Sequence, residues 1–171
     1  MSDQNDHDIY PVSVKTSLSP GASLPMKGRE KDVGYDLTAC KIERAPKSQQ
    51  GTHTFLVHFG VTVEPPPGYY FEIIPRSSLA WSGFILPNSV GVIDPDYRGQ
   101  LMMPLIYIAR INSNDEASAK VQVDQIAQEL VGKRLAQLVL RQHLSCQFDQ
   151  VTYENLSRTI RGEQGFGSSG D

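Results

Sequence analysis

An all-β domain with one short helix is the fold this chain predicts, and three observations carry it. Apolar residues alternate through residues 54–63, dense clusters of turn formers separate the other short apolar runs, and apolar residues recur at helical spacing only near residues 124–131. The chain has 171 residues, 39% of them hydrophobic and 20% charged, with 11 Pro, 14 Gly and 7 Tyr, a globular composition leaning towards strands and turns. A chain of this length suits one domain and can bury roughly 70% of its unfolded surface.

Residues 1–8 are polar and acidic, so the first ten residues are expected to be disordered, with the first strand beginning near Pro11. In TFLVHFGVTV, residues 54–63, alternation puts Phe55, Val57, Phe59, Val61 and Val63 on one face of a half-buried strand. Pro65, Pro66, Pro67 and Gly68 cannot continue a ladder, and residues 69–74 resume with aromatic and β-branched side chains, which predicts a hairpin or a sheet corner. Residues 89–93 and 100–108 flank the turn-rich DPDYRG of residues 94–99 and predict a second hairpin. Pro104 places the returning strand at an edge or a bulge, because proline donates nothing to a central ladder. Ile126, Ala127, Leu130 and Val131 predict a short helix ending at Gly132, and residues 135–140 return to an apolar strand. Residues 162–171 hold four of the glycines and little that packs. The expected organisation is therefore a β domain over residues 1–153 and a flexible C-terminal arm over residues 154–171.

A formal net charge of −3 leaves no excess of Lys and Arg to neutralise a phosphate backbone, so duplex nucleic acid is not the expected partner, whereas a single nucleotide is compatible. Cys40 and Cys146 stand far apart with no second ligand at metal spacing, which indicates neither a disulfide framework nor a zinc site and suits a reducing compartment. His7, His53, His58 and His143 likewise form no metal-binding pattern. The uncharged run at residues 101–109 is far shorter than the roughly 20 residues of a membrane helix, and the polar N-terminus is unlike a signal peptide. A soluble, unprocessed, cytoplasmic protein is expected, with no membrane partner and with the nucleus open to so small a chain.

Three segments pair an arginine with small or hydroxyl residues: PRSSLA at 75–80, GVIDPDYRG at 91–99 and RGEQGFGSSG at 161–170. Guanidinium forks, serine hydroxyls and glycine backbone N–H groups are the parts of a phosphate site. Taken singly, PRSSLA is also a polar turn and the last segment a plain glycine-rich tail. The tail is no Walker loop, since it lacks the GK[ST] ending and the strand and helix around it.

Together with VGYDL at 33–37 and GKRLAQLVL at 132–140, and with the middle one read through to GVIDPDYRGQ at 91–100, these segments resemble, in order, the five motifs of the trimeric dUTP diphosphatase family, the dUTPases. The motifs run from Val33 to Gly170, about four fifths of the chain. The resemblance implies a jelly-roll-like β-barrel or sandwich assembled as a homotrimer, with active sites shared between subunits and a C-terminal arm closing over each. It implies hydrolysis of dUTP to dUMP and pyrophosphate, which limits uracil incorporation into DNA and supplies dUMP for dTMP synthesis.

By position in these motifs, Asp94 matches the aspartate that activates a water against the α-phosphorus, a task suited to a carboxylate base. Tyr97 matches the ring that packs on the deoxyribose and excludes a 2′-hydroxyl; Asn88 matches a base contact, and Gly91, Val92, Ile93 and Met102 the main chain that reads uracil. Arg76, Ser77 and Ser78 match the phosphate-holding second motif, and Gln137 a further phosphate or metal-water contact. In the arm, Arg161 matches a γ-phosphate ligand, Phe166 the ring over uracil, and Gly167 and Ser168 phosphate donors. Mg²⁺ is implied as an ion carried by the triphosphate, reached through water by Asp36.

The chain departs from the family pattern at Lys133, where many relatives carry Asp, at Ser169, where Thr is usual, and in a long connection over residues 111–131. That connection reads as a surface elaboration or a partner-binding feature. The related dCTP deaminases need a glutamate where this chain has Pro104, which performs no acid–base chemistry. A nucleotide-binding signalling protein of the same fold is the rival from another class. The presence of Asp94, Tyr97, Arg76 and Arg161 favours the enzyme.

Overall fold

The computed structural model describes residues 11–46, 53–113 and 115–165. Its strands are β1 (Lys15–Leu18), β2 (Tyr35–Thr38), β3 (Lys41–Arg44), β4 (Thr54–His58), β5 (Val61–Glu64), β6 (Tyr69–Pro75), β7 (Phe84–Ile85), β8 (Gly91–Ile93), β9 (Met102–Tyr107) and β10 (Arg134–Gln142), with one helix, α1 (Glu116–Gln128). All pairings are antiparallel. One four-stranded sheet has the order β2-β10-β6-β8, a second has β3-β4-β9-β7, and β1 pairs with β5.

Alternation decides what lies between the sheets. Phe71, Ile73, Ala136 and Leu138 from the first sheet and Phe55, Val57, Met103 and Leu105 from the second join one buried cluster. Phe84 meets the rings of Phe55 and Tyr107 edge-on, with centroids 5.9 and 5.0 Å away. The all-β, jelly-roll-like sandwich expected from the sequence is the fold observed.

Residues 54–63 present one apolar face, as expected, but as two strands broken at Phe59 and Gly60. Gly60 has φ of +67°, and a β carbon there would collide with Ala22 Cβ. The hairpin expected around DPDYRG does not form, and at the Pro-rich turn the sheet corner forms rather than a hairpin. Strand β5 pairs with β1 while β6 pairs with β10 and β8; β8 pairs with β6 while β9 pairs with β4 and β7. The Pro-rich turn and the DPDYRG turn each carry the chain out of one sheet and into another. Strand β9 is an inner strand, yet β7 reaches only Tyr107 and Ile106 of it, so at Pro104 its pairing is to Leu56 of β4 alone. The local edge predicted by that proline is real.

Helix α1 begins at Glu116 rather than Asp124. Asp115 caps it, Oδ1 accepting from the Ser118 N–H at 2.9 Å and Oδ2 from the Ser118 hydroxyl at 2.7 Å. Those two bonds hold the Asp115 carboxyl below its ordinary pKa. Val123 and Ala127 are fully buried, Gln128 donates to the Ile42 carbonyl at 3.0 Å, and Arg44 Nε pairs with Asp124 at 2.8 Å. The long connection thus contributes to the core along one face of its helix. Gly132, just past it, takes φ of +79°.

From Arg141 onward every described residue is exposed, among them Leu144, Phe148, Tyr153, Leu156 and Ile160. Among the described residues no helix is long and apolar enough to cross a membrane.

Candidate active site

Strand β10 brings three of the sequence segments together. Gln137 lies opposite Asp36 of β2 on one side and Ile74 of β6 on the other. Arg76 follows β6 directly, its N–H donating to the Leu135 carbonyl at 2.9 Å, and its guanidinium pairs with Asp36 Oδ2. Arg134 Nη1 donates to the same oxygen at 3.0 Å.

Arg134 and Gln137 are three residues apart and would face opposite sides of a regular strand. The register shift between Arg134 and Ala136 absorbs one residue, which turns Arg134 to the face that carries Asp36 and Gln137. Asp36, only 7% exposed, is the one buried charged residue among those described. Two guanidiniums on one carboxylate offset its desolvation and aim a pair of cations at the same end of the sheet. Ser77 and Ser78 are exposed there on the 3-10 turn Ser77–Trp81, which buried Leu79 pins. The arrangement suits a polyphosphate.

The remaining segment builds a second cluster on the other flank of β6. Gly91, Val92 and Ile93 pair with Ile73, Glu72 and Phe71. Asn88 Nδ2 donates to the Val90 carbonyl at 3.3 Å, across a turn in which Ser89 takes φ of +59°. Asp94 follows Ile93 and is exposed; its backbone carbonyl accepts the Tyr97 N–H at 3.1 Å, and among the described residues no cation pairs with its carboxylate. The Tyr97 hydroxyl donates to the Gln100 carbonyl at 3.0 Å. Met102 opens β9 and is exposed.

Since Ile93 faces Phe71 while Arg76 lies beyond Pro75, the two clusters sit towards opposite ends of β6. At about 3.3 Å per residue, Arg76 and the end of β8 are separated along the sheet by on the order of 15–20 Å.

Arg161 is exposed, Nε donating to the Gln164 carbonyl at 2.9 Å. Phe166, Gly167 and Ser168 lie outside the described residues, as does Ser169. No group of three or more His, Cys, Asp or Glu among the described residues could hold a metal ion, so the donor set does not build a resident metal site. Sequence reading gave no role to Arg134, a cation immediately before the apolar strand of residues 135–140, nor to Gln100, which closes the third motif and whose amide meets His58 on β4.

The chain matches the dUTPase family model over residues 21–170. Among curated proteins it is similar to the deoxyuridine 5′-triphosphate nucleotidohydrolase of Leptospira interrogans, 36% identical over 90% of this chain and 94% of that one. The protein of that name from Candida albicans is 35% identical over 92% of this chain and 88% of its own length, and that from Solanum lycopersicum 33% over 98% and 87%. Among solved structures, a mutant Staphylococcus bacteriophage 80alpha dUTPase with dUpNHpp superposes with a TM-score of 0.70 at 23% identity, covering 93% of this chain and 99% of that one. The dUTPase of phage phi11 of S. aureus gives 0.63 at 21% identity, with coverages of 85% and 100%.

Proposed function

The chain belongs to the dUTPase family and is a dUTP diphosphatase, and from that premise we propose how its residues divide the hydrolysis of dUTP to dUMP and pyrophosphate. Asp94 is the general base that deprotonates the water attacking the α-phosphorus. The observation that carries this is its exposed carboxylate, engaged by no cation among the described residues, on a turn closed by the Tyr97 N–H. Such a base contributes typically 10²–10⁴-fold to rate.

Arg76, Ser77 and Ser78 hold the phosphate chain, with Gln137 beside them and Asp36 fixing the Arg76 guanidinium. Tyr97 covers the deoxyribose, Asn88 contacts the base, and the main chain at Gly91, Val92, Ile93 and Met102 reads uracil. A site that pairs a base edge with buried donors and acceptors rejects the wrong base, because mispaired polar groups are costly. Carried by the triphosphate, Mg²⁺ would neutralise its charge, and Asp36 is the residue that would reach the ion through water.

The separation of Asp94 from Arg76 within one chain supports a homotrimer whose sites combine segments of different subunits. The exposed apolar side chains of the C-terminal stretch, Leu144, Phe148 and Ile160 among them, support the same reading, since a neighbouring subunit would cover them. Residues 154–171 then act as an arm bringing Arg161, Phe166, Gly167 and Ser168 over bound nucleotide, shielding it from water. The physiological outcome is less uracil available for DNA synthesis and a supply of dUMP for dTMP synthesis.

Pyrophosphate release from dUTP, dTTP, dCTP and UTP with Mg²⁺ tests the reading, alongside ammonia release and the solution mass. Selective dUTP cleavage by a trimer, lost in Asp94→Ala, is expected. Full turnover in Asp94→Ala would remove the base assignment, and a monomer with full activity would remove the shared site.

A further inference from the structure

Tyr97 is exposed and lies on a turn, yet its ring is held at the hydroxyl end: the phenol donates to the Gln100 carbonyl at 3.0 Å. Between them Gly99 leaves room, for a β carbon on Gly99 would strike the phenol oxygen and ring. The ring therefore folds back over residues 98–100, and its position is set by whatever fixes Gln100.

That fixation is extensive. The Gln100 amide is clamped at both ends, with Oε1 3.1 Å from His58 Nδ1 and Nε2 donating to the Ser19 hydroxyl at 3.0 Å. His58 is itself held, its Nε2 2.9 Å from Glu43 Oε1 and its carbonyl accepting the Cys40 N–H at 2.9 Å. Ser19 N–H donates to the Gly60 carbonyl at 2.8 Å, and the next residue along from Gln100, Leu101, donates to the Val61 carbonyl at 2.7 Å. Lys41 pairs with Glu43, and these two bonds to Lys41 and His58 keep the Glu43 carboxyl below its ordinary pKa. The acceptor for Tyr97 is thus tied to the loop before β2, to β3, to β4 and to the start of β5.

We propose that Gln100 is a positioning residue for Tyr97, clamped by His58 and Ser19, and that the clamp sets how strongly the site rejects a ribonucleotide. The inference rests on the reading of Tyr97 as the residue that excludes a 2′-hydroxyl. Excluding one hydroxyl by contact requires the excluding ring to be held within a fraction of an ångström, and a ring on an exposed turn has that precision only if its anchor is rigid. Loss of the clamp leaves the ring in place on average and lets it give way to the larger sugar.

The test is the ratio of kcat/KM for dUTP to that for UTP in the full-length protein, with thermal melting to confirm folding. Gln100→Met keeps the length of the side chain and removes both amide bonds; it is expected to lower the ratio about tenfold, the equivalent of roughly one hydrogen bond, chiefly by raising kcat/KM for UTP. Gln100→Glu should restore part of the ratio, because the Ser19 hydroxyl can donate to a carboxylate. Ser19→Ala deletes one partner in a surface loop and should lower the ratio about threefold, so the test survives even if Gln100→Met fails to fold. Tyr97→Ala separates the two levels of the reading. If it collapses the ratio while Ser19→Ala and Gln100→Met leave it at the wild-type value, the clamp is overturned and the role of Tyr97 stands. If Tyr97→Ala leaves the ratio unchanged, the role of Tyr97 fails and the clamp proposal falls with it.

Discussion

Gly34 and Gln137 approach so closely that a β carbon on Gly34 would lie 2.8 Å from Gln137 Cβ and 2.9 Å from its Oε1. Gly34 immediately precedes β2, whose pairing with β10 sets Asp36 opposite Gln137, so the contact fixes a side chain assigned to the phosphates. Gly34→Ala must displace Gln137 or part the strands. A stability loss of about 1–3 kcal/mol is expected, as for overpacking elsewhere, together with a higher KM for dUTP. Urea unfolding and steady-state kinetics measure the two, and wild-type values for both would detach Gly34 from the site.

Asp36 anchors two cations whose side chains are 26% exposed at Arg76 and 57% exposed at Arg134. Removing the carboxylate leaves two guanidiniums facing each other and a buried space between them. Asp36→Ala should lower stability by about 1–3 kcal/mol, the cost of breaking hydrogen bonds to charged partners in a partly solvated cluster. Binding of a non-hydrolysable dUTP analogue should weaken too, since Arg76 loses its orientation. Calorimetry on the folded variant checks this; unchanged affinity would mean that Arg76 is held by its backbone alone.

Much of this was legible in the chain itself. The inward face of residues 54–63 follows from alternation, and the strand of residues 135–140 from its apolar run. Strand partners were not legible, because the Pro65–Gly68 and DPDYRG segments announce that the chain turns without stating which sheet it enters next. The first half of α1 was hidden for a different reason: residues 116–122 have no apolar face and are helical through the Asp115 cap and the packing of Val123 and Ala127 beyond them. At the site, Arg76 and Gln137 could be named from motifs. Arg134 could not, since only the register shift beside it turns its side chain towards Asp36. The pairing of His58 with Gln100, 42 residues apart, is purely tertiary.

The Asp115 cap makes α1 sensitive to one side chain and to acid. Asp115→Ala removes the acceptor for both the N–H and the hydroxyl of Ser118, so the melting temperature should fall. The carboxyl pKa is lowered in the folded chain, which means that the cap contributes in full above the unfolded value and is lost as pH falls through the folded one. Asp115→Asn should retain most of the cap at neutral pH. Thermal melts of the three proteins decide it, and equal melting temperatures for Asp115→Ala and the wild type at neutral pH would show that packing alone holds the helix.

Glu72 supplies the clearest pH dependence in the sheet. It lies on β6 opposite Val139 of β10 and Val92 of β8, its Oε2 accepts from Arg141 Nε at 2.8 Å, and its Oε1 accepts from the Tyr70 hydroxyl at 2.9 Å. Arg141 first, and Tyr70 after it, hold the carboxyl below its ordinary pKa, while the Tyr70 hydroxyl is pushed up. A depressed folded pKa places the stabilising contribution above the unfolded glutamate value of about 4.3 and removes it as pH falls through the lower, folded value. Glu72→Gln keeps the shape and never ionises. The wild type should therefore melt higher than Glu72→Gln at pH 7, and the gap should close as pH drops below about 4, where the native carboxylate takes up its proton. A gap that stayed constant from pH 7 to pH 3 would show that Glu72 contributes through packing and neutral hydrogen bonding, with the charge of Arg141 left to solvent.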